Sequence, residues 1–253
     1  RIRWRAASAL PDPAATPAPF KLPKVDARYK TVATGVDRKT GVPMPTSFPE
    51  LAFPKQQRAT LSNGTKVILA ERHDIPVVQM SYEFRGGSAT EPQAKLGLSG
   101  FAAGMLVEGG SGNLSGLDFV DRSEALGAVM GASAGKDSSS VYLSALKQNL
   151  EPSVALFADL LRKPQFAADQ IERVRGQRIA GIKQEKAQPN GVAQRVLPGL
   201  VFGATHPYAG PSSGTEASIA ALSRADLQAW HGTALRPQDA TLVVVGDTTL
   251  DEI

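Results

Sequence analysis

The presence of only three histidines and the absence of cysteine limit the chemistry that this chain could perform on its own. His73, His206 and His231 lie far apart, and no two stand at the i, i+4 spacing that turns two imidazoles toward one metal on a helix face. The lack of Cys excludes thiolate zinc ligands, cysteine nucleophiles and disulfides. We expect His206 to be a loop residue and His231 a capping residue near a helix C-terminus. A zinc site formed by this chain alone is not predicted.

One serine lies in a pattern that resembles a nucleophile elbow. Gly131-Ala132-Ser133-Ala134-Gly135 has the glycine spacing of the strained turn that lifts a catalytic Ser between a strand and a helix. Here the predicted helix comes first and the predicted strand follows, so we expect Ser133 in a strand or turn. The same segment has too few residues between its glycines for a phosphate loop. Serine hydrolysis remains an alternative that predicts labelling by a fluorophosphonate probe, and we expect no labelling.

Two further segments carry polar groups. Gly109-Gly110-Ser111-Gly112 lies between two predicted helices and could bind an anion through backbone amides, but a flexible connection is the favoured interpretation. A later basic cluster is interleaved with Asp169, Glu172 and Glu185, and such mixed charge is typical of a solvated helix face rather than a nucleic-acid groove. The cluster consists of Arg162, Lys163, Arg173, Arg175, Arg178, Lys183 and Lys186. No nucleic-acid partner is predicted.

Composition is that of an ordinary globular chain. The 253 residues are 42% hydrophobic and 21% charged, and the net charge of +4 is too small to indicate a nucleic-acid surface. No run approaches the roughly eighteen apolar residues of a membrane-spanning helix, so no membrane span is predicted. The chain opens with Arg1 and no signal-peptide pattern, from which we expect a piece of a larger protein. The absence of Cys points to an extracytoplasmic compartment such as the bacterial periplasm without fixing it.

The elements that must position these residues fall into two parts. Residues 1–50 contain eight Pro, which fix φ and remove amide donors too often for helix or sheet, so a Pro-rich extended linker or strap is predicted. Residues 51–253 are predicted to form one α+β domain. We expect it to be truncated at its C-terminal end, because Thr249 and Glu252 begin a capping box for a helix that is not completed.

Within the domain, hairpins alternate with pairs of helices. Asn63-Gly64 predicts a tight type I′ turn between two strands, and a second hairpin is expected around residues 135–138. Apolar residues at helical spacing from residue 98 to residue 106 predict a buried first helix. This order predicts a mainly antiparallel sheet with helices packed on one face.

The order of several segments resembles the pitrilysin/insulinase family of zinc metallopeptidases, which includes mitochondrial processing peptidase. Residues 61–69 with 76–78 resemble the family's opening hairpin, and residues 85–98 resemble the loop into its first helix. Further matches are residues 206–208, 214–219, 224–227 and 243–247. The resemblance extends from about residue 57 to the end and implies a metallopeptidase domain like that of mitochondrial processing peptidase.

The resemblance also locates a degenerate zinc motif. Active members carry His-x-x-Glu-His on the first helix, with two His as zinc ligands and the Glu as general base. Aligned on residues 97–106, the motif falls on Gly100, Ala103 and Gly104, and the remaining Glu ligand falls at Gly181, one turn before Glu185. Glycine and alanine offer neither a lone pair for zinc nor a carboxylate for a proton. The resemblance therefore implies no catalytic residue, no metal and no cofactor in this chain.

Taken together, the resemblance implies the noncatalytic domain of a bacterial zinc metallopeptidase. Such a domain would be inactive in proteolysis alone and would contribute to a chamber wall and to peptide binding. The expected partners are a peptide substrate and a homologous zinc-binding half, fused or separate, which would hold the zinc. The alternative is a non-proteolytic scaffold or assembly module of the same fold, and a zinc-motif half encoded upstream would favour the peptidase. A peptide could add as a strand to a free sheet edge, which the sequence does not identify.

Overall fold

The computed structural model describes residues 52–253, together with residues 24, 41, 47, 48 and 50. All elements described below belong to the unit Ala52–Ile253. The linker predicted at residues 1–50 lies otherwise outside the described residues, so the division of the chain at that boundary stays a prediction.

Six strands form one mixed sheet with the order β1-β2-β6-β3-β5-β4. The strands are β1 (Gln56–Thr60), β2 (Lys66–Glu71), β3 (Val77–Arg85), β4 (Val129–Ala134), β5 (Ser138–Leu146) and β6 (Ala240–Gly246). Only the pairing of β2 with β6 is parallel, and the other four pairings are antiparallel. The prediction of a mainly antiparallel sheet is confirmed.

Seven α-helices accompany the sheet in the described part of the chain. They are α1 (Leu98–Glu108), α2 (Gly116–Ala125), α3 (Leu150–Arg162), α4 (Ala168–Ala187), α5 (Pro189–Phe202), α6 (Glu216–Ala221) and α7 (Arg224–Ala234). Helices α1 and α3 pack directly on the sheet, whereas α4 packs on α1 and carries α5 and α6. The predicted α+β architecture is confirmed.

The core lies between these helices and one face of the sheet. Alternate strand residues face it, and Leu69 and Val244 are 0% exposed. From α1, Phe101, Met105 and Leu106 are also fully buried. Burial of each such side chain contributes roughly 1.5–3 kcal/mol, which makes this layer the principal source of stability. The apolar side of α1 thereby fixes the position of the helix on the sheet.

Two local details differ from the sequence-based expectations. In the first hairpin, Gly64 has φ of +89°, but Asn63 does not adopt a positive φ, so the turn is not type I′. Instead, the Asn63 side chain accepts a hydrogen bond from the Thr65 amide over 3.0 Å, and Gly64 N–H donates to the Leu61 carbonyl. The predicted hairpin forms, but through a longer loop with an Asx turn. Helix α6, which is only six residues long, was not predicted.

No helix in the described residues is both long enough and apolar enough to cross a membrane.

Candidate functional site: a zinc-site scaffold without ligands

At the start of α1, the loop before the helix and the loop that contains Gly214 approach each other closely. Gly97, which precedes the helix, has φ of +88°, and a Cβ there would lie 2.9 Å from the backbone of Gly214. Only glycine meets both conditions. The Glu91 carboxylate accepts hydrogen bonds from the amides of Gly97 and Ser99 over 2.7 and 2.6 Å. These amides have no partner within the helix, and a negative carboxylate is favourable at a helix N-terminus. The two bonds therefore fix where α1 begins.

The three motif positions on α1 lack any side chain that could bind or activate a ligand. Gly100 and Gly104 are partly exposed one turn apart, and Ala103 is 1% exposed. A Cβ added at Gly104 would meet nothing within 4 Å, and one at Gly100 would lie 3.8 Å from the Ser212 carbonyl. The helix therefore leaves open space at the positions where two imidazoles of the motif would start.

Helix α4 shows the same feature at its predicted ligand position. A Cβ added at Gly181 would also meet nothing within 4 Å, although the next residue, Ile182, is buried in the core. The carboxylate of Glu185, one turn on, accepts a hydrogen bond from the Arg195 guanidinium over 2.7 Å. Arg195 also donates to the Ser213 hydroxyl over 2.7 Å. Glu185 is thus engaged in anchoring α5 and the following loop.

That loop, residues 206–214, lies close to the first turn of α1. Lys136 donates to the Gly210 carbonyl over 2.7 Å, and the Tyr208 hydroxyl donates to the Asp137 carboxylate at 2.5 and 2.6 Å. The bond to Asp137 raises the pKa of Tyr208. The β4–β5 turn therefore holds the loop in place. Sequence patterns could not reveal this contact, because its partners are separated by about seventy residues.

The three histidines serve structural roles and do not meet. His231, in the last turn of α7, hydrogen-bonds to the Leu161 carbonyl over 2.7 Å, and His206 stacks on Phe202 in the loop after α5. The prediction of His206 as a loop residue is confirmed. His231 lies in the last turn of α7 as expected, but its side chain bonds to α3 rather than capping its own helix. His73 lies 2.7 Å from the Asp247 carboxylate, and this contact raises the pKa of the imidazole. In the described part of the chain, no group of three or more His, Cys, Asp or Glu could hold a metal ion.

The residues present do not fit the zinc that the family motif would bind. Neither Gly100, Ala103 and Gly104 nor Gly181 offers a donor atom beyond the backbone. A general base for a bound water is equally missing, because a methyl group occupies the position of the Glu. No hydrolytic step can be derived from this arrangement.

Ser133 also has no catalytic setting. It lies in β4 opposite Ser140 of β5, and the two hydroxyl oxygens are 2.9 Å apart. The sharp turn of this segment comes after Ser133, in the β4–β5 connection, as the hairpin prediction required. A strand position without a base leaves this hydroxyl unactivated.

Two amides of the glycine-rich connection after α1, those of Ser111 and Gly112, bond to carbonyls within the domain. The Ser111 N–H donates to the Leu114 carbonyl, and the Gly112 N–H donates to the Lys163 carbonyl. Two residues of the basic cluster bond to other segments of the domain. Arg173 pairs with Glu108, and Arg175 donates to the carbonyl of Leu222 over 2.8 Å. These contacts hold α4 against neighbouring elements.

Beside α1, the sheet ends in an open edge. Strand β4 is the terminal strand, and in the described residues its backbone makes no ladder hydrogen bonds apart from those with β5. Gly135 N–H donates to the Ser138 carbonyl at the turn. Because antiparallel pairs alternate, the backbone groups of Met130, Ala132 and Ala134 point away from β5. These groups are a template for another strand.

Comparisons with known proteins agree with this description. The family described as Insulinase (Peptidase family M16) matches residues 66–206, which is more than half of the chain. The Non-peptidase homolog YmxG of Helicobacter pylori is 25% identical over 186 residues, covering 74% of this chain and 43% of that protein. The chain thus spans less than half the length of this relative.

Solved structures of the same fold include one described as inactive. A peptidase M16 inactive domain from Pseudomonas fluorescens superposes with a TM-score of 0.74 at 31% identity, covering 78% of this chain and 48% of that one. The periplasmic protease PqqL of Escherichia coli matches with a TM-score of 0.69 at 20% identity, over 80% of this chain and 23% of that one. The fold, the matched segment and these relatives lead to one conclusion: the chain belongs to peptidase family M16, the insulinase family.

Proposed function

We propose that this chain is the noncatalytic domain of a bacterial M16 zinc metallopeptidase, in which it contributes to the chamber wall and to peptide binding. One observation carries the proposal. Helices α1 and α4 pack together, and the residues that our motif alignment assigns to the zinc ligands and the base, Gly100, Ala103, Gly104 and Gly181, carry no donor side chain. The likeness to a domain described as inactive supports it.

Catalysis then requires a second component. We propose a homologous half, fused or separate, that carries the zinc and the general base. The chain covers only 43–48% of YmxG and the inactive domain, and 23% of PqqL. These proteins are therefore long enough to contain a further half of similar size. We place the protein in the bacterial periplasm, with support from the lack of Cys and from the fold shared with a periplasmic protease.

The open edge of β4 is the proposed place of peptide binding. An extended peptide that adds to this edge would gain main-chain hydrogen bonds with little dependence on sequence. The strand packs on α1, so the bound peptide would run beside the ligand-free helix. It would be held there without being cut, because no water is activated.

A proline placed in β4 tests this role. Ala132→Pro removes an outward N–H without removing a β4–β5 ladder bond, so the fold should persist. We expect the unmodified chain to bind short labelled peptides of mixed sequence, measured by fluorescence anisotropy, and to release them uncut. Ala132→Pro should weaken binding about tenfold or more, since several hydrogen bonds depend on strand addition.

The matched control is Thr60→Pro in β1, the opposite edge strand, which should leave binding unchanged. Melting curves of both variants verify that they are folded. Equal binding by the chain and Ala132→Pro would refute the β4 site. Absence of peptide binding by the folded chain would instead favour the scaffold or assembly module, a function with support in the relative described as a non-peptidase homolog.

A further inference from the structure

His73 lies in the connection between β2 and β3, and each of its two ring nitrogens faces a carboxylate. Nδ1 is 2.7 Å from the carboxylate of Asp247, which follows β6, and Nε2 is 3.3 Å from that of Glu71, the last residue of β2. An ionised carboxylate only accepts hydrogen bonds, and a neutral imidazole carries a single N–H. The two contacts can therefore both be hydrogen bonds only when the ring is the doubly protonated imidazolium.

The contact lies at the end of a pairing that holds the sheet together. Among the described strands, β1 and β2 join the others through the parallel pairing of β2 with β6. This ladder ends where Glu71 lies opposite Gly246, and the Arg72 N–H adds one further bond, to the Gly246 carbonyl over 2.8 Å. The contact between His73 and Asp247 comes directly after this bond and extends the connection between the two strands.

Both carboxylates are bonded to residues of neighbouring strands. The Gln57 side chain of β1 donates to the Glu71 carboxylate over 2.6 Å. On the other side, the Asp247 residue is held by its own N–H, which donates to the Val77 carbonyl of β3 over 3.0 Å. A series of bonds therefore runs from β1 through His73 to the exit of β6, and it links the β1–β2 hairpin to the centre of the sheet. Such a network depends on the group in its middle.

The charges around the ring favour its protonated form. Glu71 from β2 and Asp247 after β6 face it, whereas the groups that β1 and β3 contribute to the network are uncharged. In the loop of His73 itself, Arg72 and Asp74 pair with each other over 2.6 Å. The hydrogen bond to Asp247, followed by the bond to Glu71, raises the pKa of His73 above its usual value of about 6.5. The imidazole side chain is 55% exposed, so it exchanges protons freely with the solvent.

We propose that His73 is a pH-sensitive link between the β1–β2 hairpin and the rest of the sheet, intact with the imidazolium and broken with the neutral ring. When the proton is lost, one nitrogen keeps its hydrogen and the other presents a lone pair to a carboxylate, so one hydrogen bond becomes a repulsive contact. The change occurs near neutral pH, where histidine titrates. The inference is independent of the proposed peptidase role, since none of these residues belongs to α1, α4 or β4.

An NMR titration of the imidazole tests the two hydrogen bonds of the ring. His73 should titrate above about pH 6.5 in the unmodified chain. Asp247→Asn keeps the backbone bond of this residue but removes its charge, so the pKa of His73 should fall toward its usual value. The matched control is Asp74→Asn in the same loop, where the carboxylate bonds to Arg72 instead. The control should lower the pKa of His73 much less, because it leaves both hydrogen bonds of the ring in place.

Hydrogen exchange of the β2 amides measures the consequence for the sheet. Since the pKa of His73 is higher in the folded chain than in the unfolded one, the link is complete below about pH 6.5 and is lost as pH rises through the folded-state value. The protection factors of these amides, which divide out the intrinsic pH dependence of exchange, should fall about twofold or more from pH 6 to pH 8. His73→Gln should remove this fall. His206→Gln, the same change in the loop after α5, should leave it intact.

Three results would overturn the proposal. They are a pKa of His73 that Asp247→Asn leaves unchanged, β2 protection factors that are equal at pH 6 and pH 8 in the unmodified chain, and a fall of the same size in His73→Gln. A fall that His206→Gln removes as completely as His73→Gln would show no dependence on this contact and would also overturn it. Melting curves at pH 6 verify that all variants are folded.

Discussion

Buried hydroxyl groups illustrate what single residues contribute to this domain. Ser153 is 0% exposed, and its hydroxyl donates to the Asn149 carbonyl over 2.6 Å. Ser111 is 1% exposed, and its hydroxyl has no hydrogen-bond partner among the described residues. A bonded and an unbonded buried hydroxyl differ mainly in the desolvation cost that remains. The two residues therefore make a matched pair.

Replacement of these serines by alanine should have opposite effects. Ser111→Ala removes an unpaired polar group, and we expect the free energy of unfolding to stay constant or to rise by up to about 1 kcal/mol. Ser153→Ala removes a bonded hydroxyl and should lower it by about 1 kcal/mol. Urea denaturation measures both. A loss at Ser111 as large as that at Ser153 would show that its hydroxyl has a partner in solution.

The assignment of the motif to individual residues stays a prediction, and the surroundings of these residues could not be predicted from the sequence. The alignment placed Gly100 and Gly104 one turn apart, which any helix guarantees. It could not show that Gly104 faces open space or that the Ser212 carbonyl lies beside Gly100, because these facts depend on packing of distant segments. Nothing in the structure explains why glycine occupies residues 104 and 181.

At the scale of elements, helix caps connect local sequence to tertiary structure. Ser223 and Asp226 form the capping box of α7, and Asp226 also accepts a hydrogen bond from Lys95 over 2.5 Å. The Lys95 contact, followed by the bonds from Ser223, lowers the pKa of Asp226 from 3.8 to about 2. This carboxylate therefore joins α7 to the segment before α1.

The depressed pKa of Asp226 predicts a pH-dependent contribution to stability. Because the folded-state pKa is lower than the unfolded value, the contribution is complete above about pH 4 and is lost as pH falls toward 2. Asp226→Asn should lower the free energy of unfolding at pH 7 by about 1 kcal/mol, allowing for solvent screening of the exposed Lys95.

Urea denaturation of the chain and Asp226→Asn at pH 7, 5 and 3 would measure this dependence. We expect the difference between the two proteins to be retained at pH 5 and reduced at pH 3. Asp251→Asn, at an exposed carboxylate near the C-terminus, is the control and should change little at any pH. A constant difference at all three values would mean that the cap acts without its charge.

Elements with local signals were predictable, and their pairing in the sheet was not. The caps of α2 and α7, the first helix and both hairpins follow from residues close in sequence. The insertion of β6 between β2 and β3, parallel to β2, depends on contacts across more than 150 residues. Helix α6 is too short for a periodic signal and is recognised by its Thr215 cap only once its position is known.

At the scale of the whole molecule, the fold of a metallopeptidase domain is retained without its chemistry. Helices α1 and α4 are in contact, and Gly100, Gly104 and Gly181 are only partly buried. Ala103, at the aligned position of the base, is instead part of the core.

Introducing ligand side chains at the aligned positions tests whether the domain lacks a zinc site only because these side chains are absent. Gly100→His, Gly104→His and Gly181→Glu together supply three donors at positions with space for a Cβ. The matched control replaces Gly181→Glu by Gly176→Glu, which adds the same carboxylate to another face of α4 at an equally open position. We expect the first variant to retain zinc much more tightly than the control.

Zinc content after equilibrium dialysis, measured by mass spectrometry of the metal, tests the central claim most directly. The unmodified chain should retain much less than one zinc per molecule and hydrolyse no peptide, whereas the three-ligand variant should retain close to one. One tightly held zinc in the unmodified chain, removable by a chelator together with peptidase activity, would contradict the account.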